Sequence, residues 1–180
     1  MKTRTTLILI AMLFTLTFCG KKDTTSEVEP PKASIHIAAI QGNLKAIEQH
    51  IAAGTDLDIK EPRGGSTALI TAASFGKTEV AKALIKGGAD LNLKNNDGST
   101  ALITAAFFCH TEIVEALLKH NADQSIANNR GSTALATVIA PFENVKPIYE
   151  VIEKAMSPLG LQLDYERIEK TRPVIAEMLD

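Results

Sequence analysis

The sequence is poor in rings, nearly balanced in charge and without a long apolar run. Aromatic residues make up 4% of its 180 residues and tryptophan is absent, so its core must be built from Ala, Leu and Ile, and small residues favour closely packed helices. The formal charge is -2. Without Lys2 and Arg4 at the extreme N-terminus, 17 Lys and Arg face 21 Asp and Glu, a net of -4. A nucleic-acid partner is thereby excluded, because phosphate binding needs a clustered positive face. The longest apolar stretch runs from Leu7 to Phe18, broken by Thr15 and Thr17; it falls short of the roughly 20 residues that cross a bilayer core. What is present, 45% apolar and 22% charged residues, suffices for one soluble domain with a single core.

That short apolar stretch follows Lys2 and Arg4 and stops at Cys19-Gly20 before Lys21 and Lys22, the shape of a secretory signal. Leu16-Thr17-Phe18-Cys19 resembles the bacterial lipobox, although Phe18 stands where Gly, Ala or Ser is usual. The resemblance implies removal of residues 1–18 and lipidation of Cys19. The protein would then be an exported lipoprotein of the bacterial cell envelope, on the outer-membrane or periplasmic face. Several acyl chains would give stable membrane anchoring where one is marginal. The alternative is a secreted protein cut nearby. Residues 19–32 are polar, carry Thr24-Thr25-Ser26 and Pro30-Pro31, and show no apolar period, as expected of a flexible tether about 20 Å long on average.

The rest of the chain repeats. Residues 65–73, GSTALITAA, return identically at 98–106 and as GSTALATVI at 131–139, each step being 33 residues. Thr78-Glu79-Val80 pairs with Thr111-Glu112-Ile113, and Ala83-Leu84-Ile85 with Ala116-Leu117-Leu118. A period of 33 signals a solenoid of stacked helical hairpins. Thr67, Thr100 and Thr133 stand where a hydroxyl caps a first helix. Gly76 follows that helix, and Gly54, Gly88, Asn121 and Gly160 follow the second, where the backbone must turn through positive φ.

With these motifs the chain is identified as a member of the ankyrin-repeat family over about residues 33–164. The resemblance implies an all-α solenoid of about four helix-turn-helix repeats, 33–61, 62–94, 95–127 and 128–164, joined by β-hairpin-like finger loops. The family's Pro and His are missing from the TALI segments at 67–70 and 100–103, and only His36 keeps the histidine position. Both ends read as caps. Gln49 and His50 replace Ala83-Leu84 on an outer helix facing water, and the fourth repeat takes a longer second helix with Pro147 near its start and Val151-Ile152 as core. Residues 165–180 form a capping helix, with Pro173 as the point where it would break.

No residue pattern points to catalysis, a metal or a cofactor. Ser66, Ser99 and Ser132 recur at the repeat period and belong to the fold. Cys109, His110 and Glu112 crowd together, but neighbours in a turn project apart, whereas a nucleophile needs its base within hydrogen-bond reach. Cys109 takes the place of Gly76 and is expected to be buried and inert under some backbone strain. His36, His50, His110 and His120 occupy scattered positions without ligand spacing. A small-molecule substrate is not expected.

The expected activity is binding of a protein partner, of identity the sequence does not specify. Ankyrin proteins recognise partners with the finger tips and the ends of the first helices, which here places Arg63, Asn96, Asp97, Asn129 and Arg130 with Phe75, Phe107 and Phe108 on the concave surface. Phe75 and Phe108 are 33 apart and are expected to stack as an exposed aromatic pair. An envelope-anchored adaptor is the reading these features favour; a secreted effector or inhibitor of a foreign protein is the alternative, with an enzyme built around Cys109 and His110 behind both.

Overall fold

The computed structural model describes residues 29–180, so the expected signal at 1–18, Cys19 and most of the expected tether lie outside the described residues. Within them the chain is helical and without strands. The first helices are α1 (Ile35–Gln41), α3 (Ala68–Ser74), α5 (Ala101–Phe107) and α7 (Ala134–Ile139). The others are α2 (Leu44–Ala52), α4 (Thr78–Lys86), α6 (Thr111–Lys119), α8 (Phe142–Met156) and α9 (Tyr165–Leu179).

Each first helix starts where a hydroxyl meets a free amide. Ser34, Thr67, Thr100 and Thr133 accept from the N–H groups of Ile37, Ile70, Ile103 and Ala136, all at 3.3 Å. Such a cap contributes about 1 kcal/mol. The first helices end where Gly42, Gly76 and Cys109 adopt positive φ, and the second where Gly54, Gly88 and Asn121 do. At φ 55, Cys109 sits in a region that side chains other than those of Asn and Asp seldom visit.

The alanine pairs are the contact between repeats. Ala38-Ala39, Ala72-Ala73 and Ala105-Ala106 are sealed from solvent, and Ile47, Leu84, Ile113 and Leu117 fill the second layer. Full burial of one such aliphatic side chain contributes about 1.5–3 kcal/mol. His50 departs from expectation. It is buried rather than facing water, and its ring bonds the Thr55 hydroxyl at 3.1 Å and the Ala33 carbonyl at 2.9 Å, tying the entering chain to the first repeat.

The last repeat is assembled differently from its sequence reading. Helices α1, α3, α5 and α7 stack in one layer and α2, α4 and α6 in the other. It is α9, not α8, that pairs with α7 and stacks on α6. Ile168, Arg172, Ile175 and Leu179 form its buried stripe, and the helix runs unbroken through Pro173. The expected second helix of repeat four is thus an insertion. Of its two residues assigned to the core, Val151 is exposed and Ile152 only half-buried.

Candidate protein-binding surface

The fingers are hairpins in outline only, each closed by two backbone bonds: the N–H groups of Glu61, Asn95 and Asn128 donate to the carbonyls of Ser66, Ser99 and Ser132 at 3.0 Å, and those of Gly65, Gly98 and Gly131 donate back to the carbonyls of Glu61, Asn95 and Asn128 at 3.1, 2.9 and 2.9 Å. A side-chain acceptor at each closing position holds the turn. Asn95 takes the N–H groups of Asp97 and Ser99, and Asn128 those of Arg130 and Ser132. The first of these fingers is one residue longer, and there the longer side chain of Glu61 receives the N–H groups of Arg63, Gly64 and Ser66.

Neighbouring fingers are laced together at the repeat period. The side-chain amide of Asn96 donates to the Arg63 carbonyl at 3.0 Å and that of Asn129 to the Asn96 carbonyl at 2.9 Å. Lys60 and Lys94 donate in the same manner to the carbonyls of Lys94 and Ala127. The side-chain amides of Asn96 and Asn129 are therefore committed to the fold, which revises their assignment as free contacts.

Between the fingers and α8 lies a groove of about 430 Å³. Its floor is Ser74, Ile103, Thr104, Phe107 and Thr137 on the concave faces of α3, α5 and α7. One wall is polar, with Asn95, Asp97, Asn128, Asn129 and Arg130 from the finger tips. The opposite wall is apolar, with Ile148, Val151, Ile152 and Met156 from α8. Of the residues assigned to recognition, Asp97, Phe107, Phe108, Asn129 and Arg130 come together here; Arg63, Phe75 and Asn96 lie outside the lining.

The expected exposed pair of rings does not form. Phe108 is buried at 5% exposure, Phe75 is half-buried, and neither ring stacks on the other. Phe107 and Phe108 instead meet edge to face at 5.1 Å, and Phe107 stacks on Tyr149 of α8 at 4.4 Å. Tyr149 also lies 6.4 Å from Phe108, so α8 completes a cluster with the two rings of α5. The α8 wall escaped sequence reasoning; its one visible signal was length, 15 residues against nine in α2, α4 and α6.

Beneath the groove two arginines of α9 close the stack. Arg172, buried, donates to the Tyr149 hydroxyl at 3.1 Å and to the carbonyls of Thr137 and Ala140 at 3.0 and 2.7 Å. Arg167 donates to the carbonyls of Cys109 and Phe108 at 2.8 and 3.3 Å. These carbonyls lie at helix ends, where intrahelical partners run out and a cation is favourable. Tyr149 itself donates to the Phe107 carbonyl.

The crowded Cys109 and His110 are tuned away from catalysis. Burial pushes the Cys109 thiol up to about 11, and burial, aided by Arg167, pushes the His110 imidazole down to about 4. A nucleophilic cysteine needs a lowered thiol and a base able to hold its proton. Glu112 is turned to Lys82, 3.4 Å away on the exposed face. Ring atoms of His110 lie where a Cβ on Gly76 would be, so its position is set by packing between repeats.

The family described as ankyrin repeats (3 copies) matches residues 35–128. Similarity to a curated protein is local: 57 residues are 40% identical to the human DNA-binding protein RFXANK. That stretch covers 32% of this chain and 22% of the relative, so the chain spans about a fifth of the length of the curated relative it matches.

Proposed function

Since the chain belongs to the ankyrin-repeat family, we propose that it is a non-catalytic module that captures a protein partner in the groove between the finger tips and α8. The observation that carries this reading is the pairing of an apolar wall, Ile148 and Val151, with a polar wall, Asp97 and Arg130, over a mixed floor that includes Ile103 and Phe107. Interfaces draw most of their energy from such desolvated apolar centres with arginine beside them, about 2 kcal/mol or more per residue. The DNA binding named for the human relative is not carried over, because the surplus of acidic residues opposes phosphate contacts.

The proposed setting is the bacterial cell envelope, with the module held to a membrane by lipid on Cys19 as an adaptor. Support comes from the signal-like run Leu7–Phe18 and the Cys19 that ends it. Mass spectrometry of the mature N-terminus tests this directly: acyl chains on Cys19 are expected, and an unmodified amine downstream would favour a secreted effector.

The groove is tested by crosslinking capture from native membranes. The combined substitutions Asp97→Ala and Arg130→Ala fall on exposed finger-tip positions and should abolish capture with an unchanged helical circular dichroism spectrum. Full capture by the folded variant would end the proposal.

A further inference from the structure

Helix α8 stands outside the two layers of the stack and forms one wall of the groove. The last hairpin is complete without it, because α9 pairs with α7. Of its 15 residues only Tyr149 is fully buried. The ring of Tyr149 stacks on Phe107, and its hydroxyl joins the Phe107 carbonyl to Arg172. A second tie is placed at the far end, where the Glu153 carboxylate receives the N–H of Leu163 at 2.7 Å and the hydroxyl of Tyr165.

An internal proline weakens α8 further: Pro147 can supply no N–H to the helix. Phe142, Val145, Ile152 and Met156 pack on the core but are only partly buried, whereas α5 and α9 seal several side chains completely. A helix with one fully buried anchor opens more readily than the stacked helices beneath it, because a segment that buries less apolar surface costs less to unfold locally.

We infer that α8 is a displaceable strap latched by Tyr149, which by local unfolding of residues 142–156 uncovers Phe107 and the concave faces of α5 and α7 for the partner. This rests on the groove being the partner site, with its finger-tip wall and its floor taking the partner while the α8 wall moves aside. With α7 and α9 still paired, the strap becomes a loop and the four-repeat stack remains. The covered and uncovered states differ in how much of the concave surface a partner reaches, so the latch sets the fraction of molecules competent to bind.

Hydrogen exchange on the full mature chain, without partner, reads the strap directly. Amides of residues 143–156 are expected to exchange at least about tenfold faster than those of α5 and α9. Tyr149→Ala should bring them to the rate of the exposed finger tips while α1 to α6 keep their protection. Exchange of α8 in step with α5 and α9 would overturn the strap. If Tyr149→Ala unfolds the whole domain, Tyr149→Phe, which keeps the ring stacked and deletes the hydroxyl bonds, must still speed exchange in α8 alone. In the crosslinking capture Tyr149→Phe should yield more partner than the wild type. Loss of capture would make α8 a fixed wall and sink the strap while sparing the groove. Indifference of capture to the groove substitutions would sink the groove reading, whatever the exchange rates.

Discussion

Arg172 of the last helix donates to the hydroxyl of Tyr149 at 3.1 Å, 23 residues earlier, and both side chains are buried. One guanidinium so joins α9 to α8 and, through the carbonyls of Thr137 and Ala140, to the end of α7. Arg172→Ala removes the donor to a buried hydroxyl and to two part-buried carbonyls. The expected loss is about 3 kcal/mol of unfolding free energy in urea titration. Arg172→Lys should recover less than half of it, since an ammonium lacks the planar fork that reaches three acceptors.

Acid should loosen the stack through His110. Its imidazole is held down to about 4 by burial, from an ordinary value near 6.5. Between those values the unfolded chain binds a proton that the folded chain refuses, so stability is full above about pH 6.5 and falls as the pH drops towards 4. The full shift corresponds to about 3 kcal/mol. Burial moves His36 in the same direction. Urea midpoints at pH 7 and pH 5 should differ for the wild type and differ less for His110→Gln; equal slopes for the two proteins would refute the assignment.

Cys109 should behave as an inert thiol. Buried and pushed up to about 11, it holds a thiolate fraction of about one in a thousand at pH 8. A colorimetric thiol reagent should therefore label the native protein over hours and the urea-unfolded protein within seconds to minutes. Rapid labelling of native protein would contradict the burial.

Two glycines separate backbone strain from finger contact. Gly98 and Gly131 share nearly the same φ, 76 and 75. A Cβ on Gly98 would meet the Asn129 side-chain oxygen at 2.4 Å and its backbone nitrogen at 2.7 Å, whereas a Cβ on Gly131 meets nothing. Both alanine variants carry the left-handed penalty of about 1–2 kcal/mol. Gly98→Ala should cost more by at least about 1 kcal/mol, because it also parts two fingers. Equal thermal shifts would show that the ladder of Asn96 and Asn129 contributes nothing.

The repeating part of this fold was legible because its signals are local. A threonine that can reach the amide three residues on and an alanine pair at the stacking position are fixed by their neighbours in sequence, so Thr67 and Ala72 announce the same hairpin as Thr100 and Ala105 even where Cys109 takes the place of Gly76. The fingers were located by the same register. Their Asn96 and Asn129 were read as free, however, because nothing within one repeat reveals a bond that crosses to the next.

Local sequence was enough to specify the period, the hairpins and their caps. Which of two 15-residue helices completes the last repeat was settled in three dimensions. Both α8 and α9 carry an apolar stripe and an internal proline, and helical periodicity cannot rank two such faces. Burial across the stack ranks them: α9 seals Ile168, Ile175 and Leu179 and supplies arginines to helix ends, while α8 buries Tyr149 alone. That outcome set Tyr149 against Phe107 and left apolar residues of α8 lining the groove opposite the finger tips.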